Sequence, residues 1–178
     1  MESPPTERGT GVPAYVALGA NLGDRLATLR EAVRRIDATY GLAVRRVSPV
    51  YETAPWGPPQ PEYLNAVIEV DACRAPFAHL AALHAIEAAL GRVRDPHQRF
   101  GPRTLDLDLL WQGGLTLSSP GGLILPHPRL HQRAFVLAPL ADLAPSLVVA
   151  GQSVAAWLAS LPAADRAGVR PRPEFRLA

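Results

Sequence analysis

Two aspartates separated by a single leucine are the residues of this sequence best suited to bind a cation. Asp106 and Asp108 lie in the run RTLDLDLL, where apolar and polar residues alternate as in a half-buried β-strand. Strand geometry places both carboxylates on one face, with Leu105, Leu107 and Leu109 on the other. Two ionised carboxylates side by side repel each other, and a hard divalent cation would relieve that repulsion. A solvated strand face would show the same pattern, so the pair alone leaves both interpretations open.

A loop rich in arginine (the arginine loop, residues 92–103) precedes these aspartates. It contains Arg92, Arg94, Arg99 and Arg103, and Asp95 is its only acidic residue. All 18 basic residues of the chain are arginines, so any phosphate must be held by guanidinium groups and backbone amides. Several arginines beside a metal-binding carboxylate pair are typical of a polyphosphate site. A merely solvated basic loop is the alternative, and the neighbouring aspartates favour phosphate.

Three further residues become candidates through their neighbours. His127 and Arg133, in the run PHPRLHQR, could reach the same triphosphate. Glu87 borders the apolar stripe of a predicted helix one turn after Leu83, where a carboxylate requires a partner. An arginine is the simplest partner for Glu87.

Composition excludes several other classes of protein. The 178 residues, 48% of them hydrophobic, suffice for one core, and no apolar run is long enough to cross a membrane. The only cysteine, Cys73, cannot form an internal disulfide or a cysteine-based zinc site, and we expect it to be a buried thiol. A net charge of +2 is too small for nucleic-acid binding by bulk attraction. We therefore expect a cytoplasmic protein that binds neither nucleic acid nor membrane.

Periodicity predicts the elements that position these residues. We expect strands at 15–18, 42–51, 64–70 and 104–111, and helices at 22–36 and 76–90. The order β-α-β-β-α-β is typical of an α+β, ferredoxin-like fold with one mainly antiparallel sheet and its helices on one face. A C-terminal extension with short helices, the last at 154–161, follows this core.

The domain boundaries follow from composition. Residues 1–13 have no periodic apolar positions and are expected to be a disordered extension. Residues 14–162 form the predicted domain, and residues 163–178 are expected to be a loose tail.

Five segments, in this order, resemble 6-hydroxymethyl-7,8-dihydropterin pyrophosphokinases: YVALGANLGD, YETAPWGPPQPEYLN, IEAALGRVR, GPRTLDLDLL and PHPRLHQRAFVLAPL. The resemblance extends from about Tyr15 to about Leu161. It implies a magnesium-dependent enzyme of folate biosynthesis that transfers pyrophosphate from ATP to the hydroxymethyl group of a reduced pterin and releases AMP. We expect it to act as a monomer.

The resemblance also implies residue roles. Asp106 and Asp108 would hold two magnesium ions and, with Arg92 and Arg94, carry catalysis. The nucleotide site would comprise Glu87, Arg92, Arg94, Arg103, Leu109, His127 and Arg133, with Leu109 against the adenine. The pterin site would comprise Thr53, Ala54, Trp56, Tyr63, Asn65 and Phe135, with Asn65 hydrogen-bonded to the ring and Phe135 stacked on it.

Two other classes of function remain as alternatives. A ferredoxin-like RNA-binding module would expose aromatic residues on its central strands, whereas the runs 15–18 and 64–70 are almost wholly aliphatic. A regulatory ligand-binding domain of the same topology would have no use for paired aspartates beside four arginines.

Overall fold

Two helices separate the strands in the first two thirds of the chain, much as predicted. A computed structural model describes residues 11–55, 59–93, 101–120 and 122–178. The core elements are β1 (Val12–Ala20), α1 (Arg25–Asp37), β2 (Leu42–Val47), β3 (Tyr51–Thr53), β4 (Tyr63–Ala72), α2 (Pro76–Ala89) and β5 (Asp106–Gln112). The later elements are β6 (Leu117–Ser118), β7 (Ile124–Leu125), a 3-10 turn (Leu130–Gln132), α3 (Ala134–Leu143), β8 (Val148–Val149), β9 (Gln152–Ser153), α4 (Val154–Ser160), α5 (Ala163–Ala167) and β10 (Val169–Pro171).

The main sheet has the strand order β10–β3–β4–β1–β5, and β2 also pairs with β4. All of its neighbouring strands are antiparallel. Because the central strand β1 lies between β4 and β5, the predicted ferredoxin-like arrangement is confirmed. No helix in the described part of the chain is long and apolar enough to span a membrane.

Alternation along the strands creates two apolar layers. Even-numbered residues of β1, such as Val16 and Leu18, enter the core shared with α1 and α2. The opposite face carries a second core, in which Tyr15 and Val67 pack with Leu137 and neighbouring residues of α3. α1 and α2 thus occupy one face as predicted, while the C-terminal extension covers part of the other. Tyr15 is only 7% exposed, so this face does not offer the aromatic surface that an RNA-binding module requires.

The predicted strand at 42–51 is interrupted, and the prediction of one continuous strand was wrong. β2 and β3 both pair with β4, but Pro49 lies between them and has no amide hydrogen to donate. Ser48 bridges the interruption, because its amide donates to the Val67 carbonyl at 2.9 Å and its Oγ accepts from the Val67 amide at 2.9 Å. The side chain therefore replaces one ladder bond of the sheet.

The residues after 162 are more ordered than the expected loose tail. They form α5 and β10, and β10 pairs with β3 as the edge strand of the main sheet. Phe175 and Leu177 pack against the core beneath α1 and α2. Arg172 also forms an ion pair with Glu52, a carboxylate that is 6% exposed and needs a cationic partner.

Two smaller predictions, the start of β1 and the burial of Cys73, also differ from the structure. β1 begins at Val12, inside the segment expected to be disordered, whereas residues 1–10 lie outside the described part of the chain. Cys73 is exposed rather than buried, because it follows the last residue of β4.

A fully buried histidine links α2 to the end of β5. The register of the β1–β5 pairing shifts between Tyr15 and Val16. Beyond this shift the side chain of Gln112 lies on the α2 side of the sheet, where it contacts His79. Gln112 Nε2 donates to the Arg74 carbonyl at 2.7 Å, so its Oε1 accepts from His79 Nδ1 at 2.9 Å. His79 Nε2 has no hydrogen-bond partner among the described residues. Burial accordingly lowers the pKa of His79, and the ring is neutral.

This arrangement predicts a loss of stability in mild acid. A neutral buried histidine takes up its proton only on unfolding, so the free energy of unfolding should fall as the pH drops below the ordinary histidine pKa of about 6.5. We expect His79→Asn, which keeps a donor for Gln112, to reduce that slope by up to about 1.4 kcal/mol per pH unit. Urea denaturation between pH 7.5 and pH 5 measures the slope, with His84→Asn on the exposed side of α2 as the control. Identical slopes for wild type and His79→Asn would contradict the prediction.

Candidate active site

A cavity of about 280 Å³ lies between the main sheet and the start of α3, on the face opposite α1 and α2. Its lining includes nine of the residues proposed from sequence: Thr53, Ala54, Tyr63, Asn65, Arg103, Asp106, Asp108, Arg133 and Phe135. Six lining residues were not proposed: Ala17, Leu18, Gly19, Ala66, Arg129 and Val136.

Strand register explains why these residues meet. Gly19 of β1 lies opposite Asp106 of β5 on one side and opposite Asn65 of β4 on the other. Two residues earlier, Ala17 lies opposite Asp108. A Cβ atom at Gly19 would lie 3.1 Å from Asn65 Oδ1, closer than such contacts normally allow. The small residues of β1 thus form the floor of a slot with carboxylates along one side and an amide along the other.

The two aspartates share one strand face, as predicted. Leu105 and Leu107 are 0% and 1% exposed in the opposite core, which fixes the direction of the alternating carboxylates. Asp106 accepts from two arginines: its Oδ1 lies 2.5 Å from Arg92 Nη1 and its Oδ2 lies 2.7 Å from Arg103 Nη1. In this arrangement the arginines supply the positive charge that Asp106 requires.

Asp108 is in a different electrostatic environment. Its burial and the neighbouring charge of Asp106 raise the pKa of Asp108 to about 6, although Arg133 acts in the opposite direction. A divalent cation between the two carboxylates would favour the ionised form of both. Asp106 and Asp108 are therefore the residues of the cavity that could hold a metal, together with oxygen atoms of a bound phosphate.

Glu87 is almost completely buried at 1% exposure and has the arginine partner expected from sequence. It forms an ion pair with Arg92, and its Oε1 accepts from the Leu107 amide at 2.7 Å. Its carboxylate is occupied by protein groups and does not line the cavity. The structure thus places Glu87 as a support for Arg92 and β5, and the expected contact of Glu87 with the nucleotide stays a prediction.

Leu109 lies on the face of β5 opposite the two aspartates. It is 3% exposed and belongs to the core beneath α1 and α2. The alternation that brings Asp108 to the cavity directs the next residue to the other face, so Leu109 does not line the cavity and its contact with adenine stays a prediction. Two other proposed residues, Arg94 and Trp56, lie outside the described part of the chain.

The segment after β7 contributes a neutral histidine and two arginines. The Arg129 amide donates to His127 Nδ1 at 3.2 Å, which leaves the proton on Nε2 as a donor. Burial and the charges of Arg133 and Arg129 lower the pKa of His127 to about 4. His127 does not line the cavity, whereas Arg129 and Arg133 do. Arg129 was missed, although it stands between His127 and Arg133 in the run PHPRLHQR.

The side of the slot opposite the carboxylates has the amide of Asn65 and an aromatic ring. Asn65 Nδ2 donates to Thr53 Oγ1 at 2.7 Å, while Asn65 Oδ1 lies beside Gly19 and has no hydrogen-bond donor among the residues that the structure describes. Phe135, in the first turn of α3, supplies an aromatic ring to the same cavity. An acceptor at the edge and a ring at the face are the groups that bind a flat, polar heterocycle.

The cavity as a whole is suited to phosphate transfer. Three arginines and two carboxylates line it, while no cysteine, serine or lysine appears among the described lining residues. Phosphoryl-type transfer depends mainly on positioning and charge stabilisation and needs no protein nucleophile. The site therefore has the chemistry of a polyphosphate donor placed next to a heterocyclic acceptor.

Comparison with known proteins agrees with this geometry. The sequence model of the 7,8-dihydro-6-hydroxymethylpterin-pyrophosphokinase family matches residues 15–145. The 2-amino-4-hydroxy-6-hydroxymethyldihydropteridine pyrophosphokinase of Methylorubrum extorquens is 44% identical over 83% of this chain and 92% of its own. The protein of that name from Mycobacterium leprae is 43% identical over 87% of this chain and 86% of its own.

A solved structure shows the same fold. The wild-type HPPK-DHPS of Plasmodium falciparum with pteroate superposes with a TM-score of 0.66 at 12% identity, over 84% of this chain. The chain spans 44% of that larger protein, so the likeness concerns one part of it.

Proposed function

The chain belongs to the 7,8-dihydro-6-hydroxymethylpterin-pyrophosphokinase family, and from that premise we propose that its cavity binds magnesium-ATP and a reduced pterin side by side. The enzyme transfers pyrophosphate from ATP to the hydroxymethyl group of 6-hydroxymethyl-7,8-dihydropterin, in folate biosynthesis. The observation that carries the proposal is one slot that both aspartates and Asn65 line, with Gly19 between Asp106 and Asn65.

The reaction forms a bond from the pterin oxygen to the β-phosphorus of ATP and breaks the bond from that phosphorus to AMP. The pterin hydroxyl attacks the β-phosphorus of ATP, the bond from that phosphorus to the oxygen bridging to the α-phosphate breaks, and AMP leaves. The hydroxyl proton is lost, and the β- and γ-phosphates move together to the pterin. Because both phosphates carry negative charge, the site must hold them rigidly and compensate that charge.

Asp106 and Asp108 would supply the protein ligands for two magnesium ions. Magnesium bound there would neutralise charge on the phosphates and orient the reacting phosphorus. The fit is chemical, because two carboxylates with phosphate oxygens and water make the hard oxygen set that magnesium prefers. The raised pKa of Asp108 supports the same assignment, since two adjacent carboxylates favour a shared cation.

The arginines would divide the remaining charge between them. Arg103, Arg129 and Arg133 line the cavity and can each donate two hydrogen bonds to phosphate oxygens. Arg92 and Arg103 already compensate Asp106, so both would exchange that carboxylate for phosphate oxygens when Asp106 acts as a ligand. Neutral His127 offers Nε2–H as a donor without adding charge.

Asn65 and Phe135 would orient the acceptor. Asn65 Oδ1 would accept from a ring N–H of the pterin, and Thr53 fixes the direction of the amide. Phe135 would stack on the ring, and Gly19 leaves the room that the ring needs at the floor of the slot. The hydroxymethyl group would then point from the ring toward the aspartates.

Replacing Phe135 should affect the two substrates unequally. We expect Phe135→Ala to weaken pterin binding about 10- to 100-fold, because the stacked ring loses its apolar and aromatic contact. Binding of an ATP analogue with a methylene bridge between the α- and β-phosphates should change less than about threefold. Calorimetry measures both affinities, with Tyr40→Ala at an aromatic that is 85% exposed as the control. Equal losses for both ligands would contradict the stacking role.

The reaction type is tested by the mass of the product. Wild-type protein incubated with ATP, magnesium and the pterin should yield a pterin heavier by two phosphate units, with AMP as the second product. A pterin heavier by one phosphate unit, with ADP, would show attack on the γ-phosphorus and overturn the proposal. Chelation of magnesium with EDTA should stop the reaction, and unchanged turnover without magnesium would overturn the metal assignment.

A further inference from the structure

The turn between β1 and α1 contains a buried asparagine that the proposed chemistry does not use. Asn21 is 1% exposed and lies in the sequence segment GANLGD. Its side chain makes three hydrogen bonds: Nδ2 donates to Gln60 Oε1 at 2.9 Å and to the Pro61 carbonyl at 3.0 Å, and Oδ1 accepts from the Arg103 amide at 2.7 Å. The Asn21 amide donates to the Arg103 carbonyl at 3.1 Å.

One side of Asn21 therefore faces the end of the arginine loop. The pairing of β1 with β5 extends to Gly19 and Asp106, and Asn21 continues it to Arg103 by using its side-chain oxygen as a carbonyl. Both backbone polar groups of Arg103 are fixed in this way. The guanidinium group of the same residue lies 2.7 Å from Asp106.

The other side of Asn21 faces the loop rich in proline that precedes β4 (the Pro-rich loop, residues 54–62). The side-chain amide of Asn21 holds Gln60 and Pro61. The next carbonyl, that of Glu62, accepts from Arg25 Nη1 at 2.7 Å. β4 begins directly afterwards with Tyr63 and reaches Asn65 two residues later. The end of this loop thus sets where the polar edge of the slot begins.

Only an amide side chain of this length satisfies the site. Asparagine offers two donors and an acceptor on one short, stiff side chain, and all three are used here. Aspartate would keep the acceptor for Arg103 but, when ionised, has no hydrogen to donate to the Pro-rich loop. Alanine would lose all three side-chain hydrogen bonds and keep only the backbone bond to the Arg103 carbonyl.

We propose that Asn21 is a positioning residue that holds the phosphate half of the site, through Arg103, and the pterin half, through the Pro-rich loop, in one fixed relation. The inference rests on the proposed function, because it assigns Arg103 to phosphate and the residues after the Pro-rich loop to the pterin. Asn21 does not line the cavity, and it acts through the backbone of Arg103 and of Pro61 and through the side chain of Gln60. A purely local role in closing the β1–α1 turn is the alternative, and it predicts no difference between the two ligands.

The test compares three variants at pH 8 by calorimetry and by steady-state turnover. Asn21→Ala should weaken both the methylene-bridged ATP analogue and the pterin, and lower kcat/KM by about 10- to 100-fold, because displacement of reacting groups costs that much. Asn21→Asp should restore nucleotide binding to within about threefold of wild type but leave pterin binding about tenfold weaker. Gln60→Leu removes one bond of the pterin side and should weaken only the pterin. Ser153→Ala, which removes a cap of α4, is the control for a general loss of stability.

Each outcome decides between the two roles. Unchanged affinities in all three variants, or equal losses of both ligands in Asn21→Asp, would overturn the positioning role. If Asn21→Ala does not fold, the split between ligands in Asn21→Asp and Gln60→Leu still decides. Failure of the wild-type protein to bind the pterin would instead overturn the proposed function, whatever the variants show.

Discussion

Replacing Asp108 with asparagine is expected to abolish pyrophosphate transfer, lowering kcat at least about a thousandfold. The carboxylate lies on the cavity face of β5 next to Asp106, where it would ligate the metal on which charge compensation depends. Asparagine keeps the shape of the side chain and removes the charge. Asp106→Asn should have a similar effect on turnover. Asp71→Asn, on β4 in the same sheet, removes a carboxylate far from the cavity and should leave turnover unchanged.

Asp108→Asn should stabilise the folded protein when magnesium is absent, although it abolishes turnover. Because the pKa of Asp108 is raised in the folded protein, the folded state binds more protons than the unfolded state between the ordinary aspartate pKa and about 6. The free energy of unfolding therefore falls as the pH rises through that window, and at neutral pH the ionised carboxylate is destabilising when no cation is bound. We expect Asp108→Asn to unfold at a higher temperature than wild type at pH 7.5 without magnesium. A lower unfolding temperature for the variant would contradict the assigned electrostatics.

Removing the guanidinium group of Arg103 should lower kcat about 100- to 1000-fold, the cost typical of losing one donor that stabilises charge in a transition state. Arg103 lines the cavity and already binds a carboxylate oxygen, at 2.7 Å from Asp106. Arg103→Lys should recover only part of the loss, because a lysine cannot donate two parallel hydrogen bonds to a phosphate. Steady-state kinetics of Arg103→Ala and Arg103→Lys measure the effect.

Arg45→Ala is the matched control for Arg103. Arg45 forms an exposed ion pair with Asp71 on β2 and β4, away from the cavity, so its loss should change neither kcat nor KM. Full turnover by Arg103→Ala would show that the Asp106–Arg103 ion pair serves structure alone.

The strand pattern was sufficient to predict part of the site. Alternation in RTLDLDLL placed Asp106 and Asp108 on one face and the leucines in the core, because the period of a strand allows no other arrangement. The same rule places Leu109 on the opposite face, and the contact with adenine that the family resemblance implies stays a prediction. The meeting of Asn65 and Phe135 at one cavity came from the resemblance, since their separation along the chain carries no periodic signal.

The remaining features depend on partners that are distant in sequence. Pro49 interrupts the strand predicted at 42–51, and only the pairing with β4 shows how Ser48 compensates for it. The segment Val169–Pro171 is too short and too polar to signal a strand, and the edge of β3 gives it a partner. Asn21 occurs in a turn sequence that resembles a helix start, and its three partners lie about 40 to 80 residues away.

Pyrophosphate transfer by this cavity is tested most directly by measuring the release of AMP from ATP and magnesium by the purified protein, with and without 6-hydroxymethyl-7,8-dihydropterin. AMP should appear only when the pterin is present, in equal amount to the pyrophosphorylated pterin, and the Asp108→Asn protein should produce neither. AMP release that is independent of the pterin, or no AMP from protein shown to be folded, would contradict the assignment of this cavity to pyrophosphate transfer.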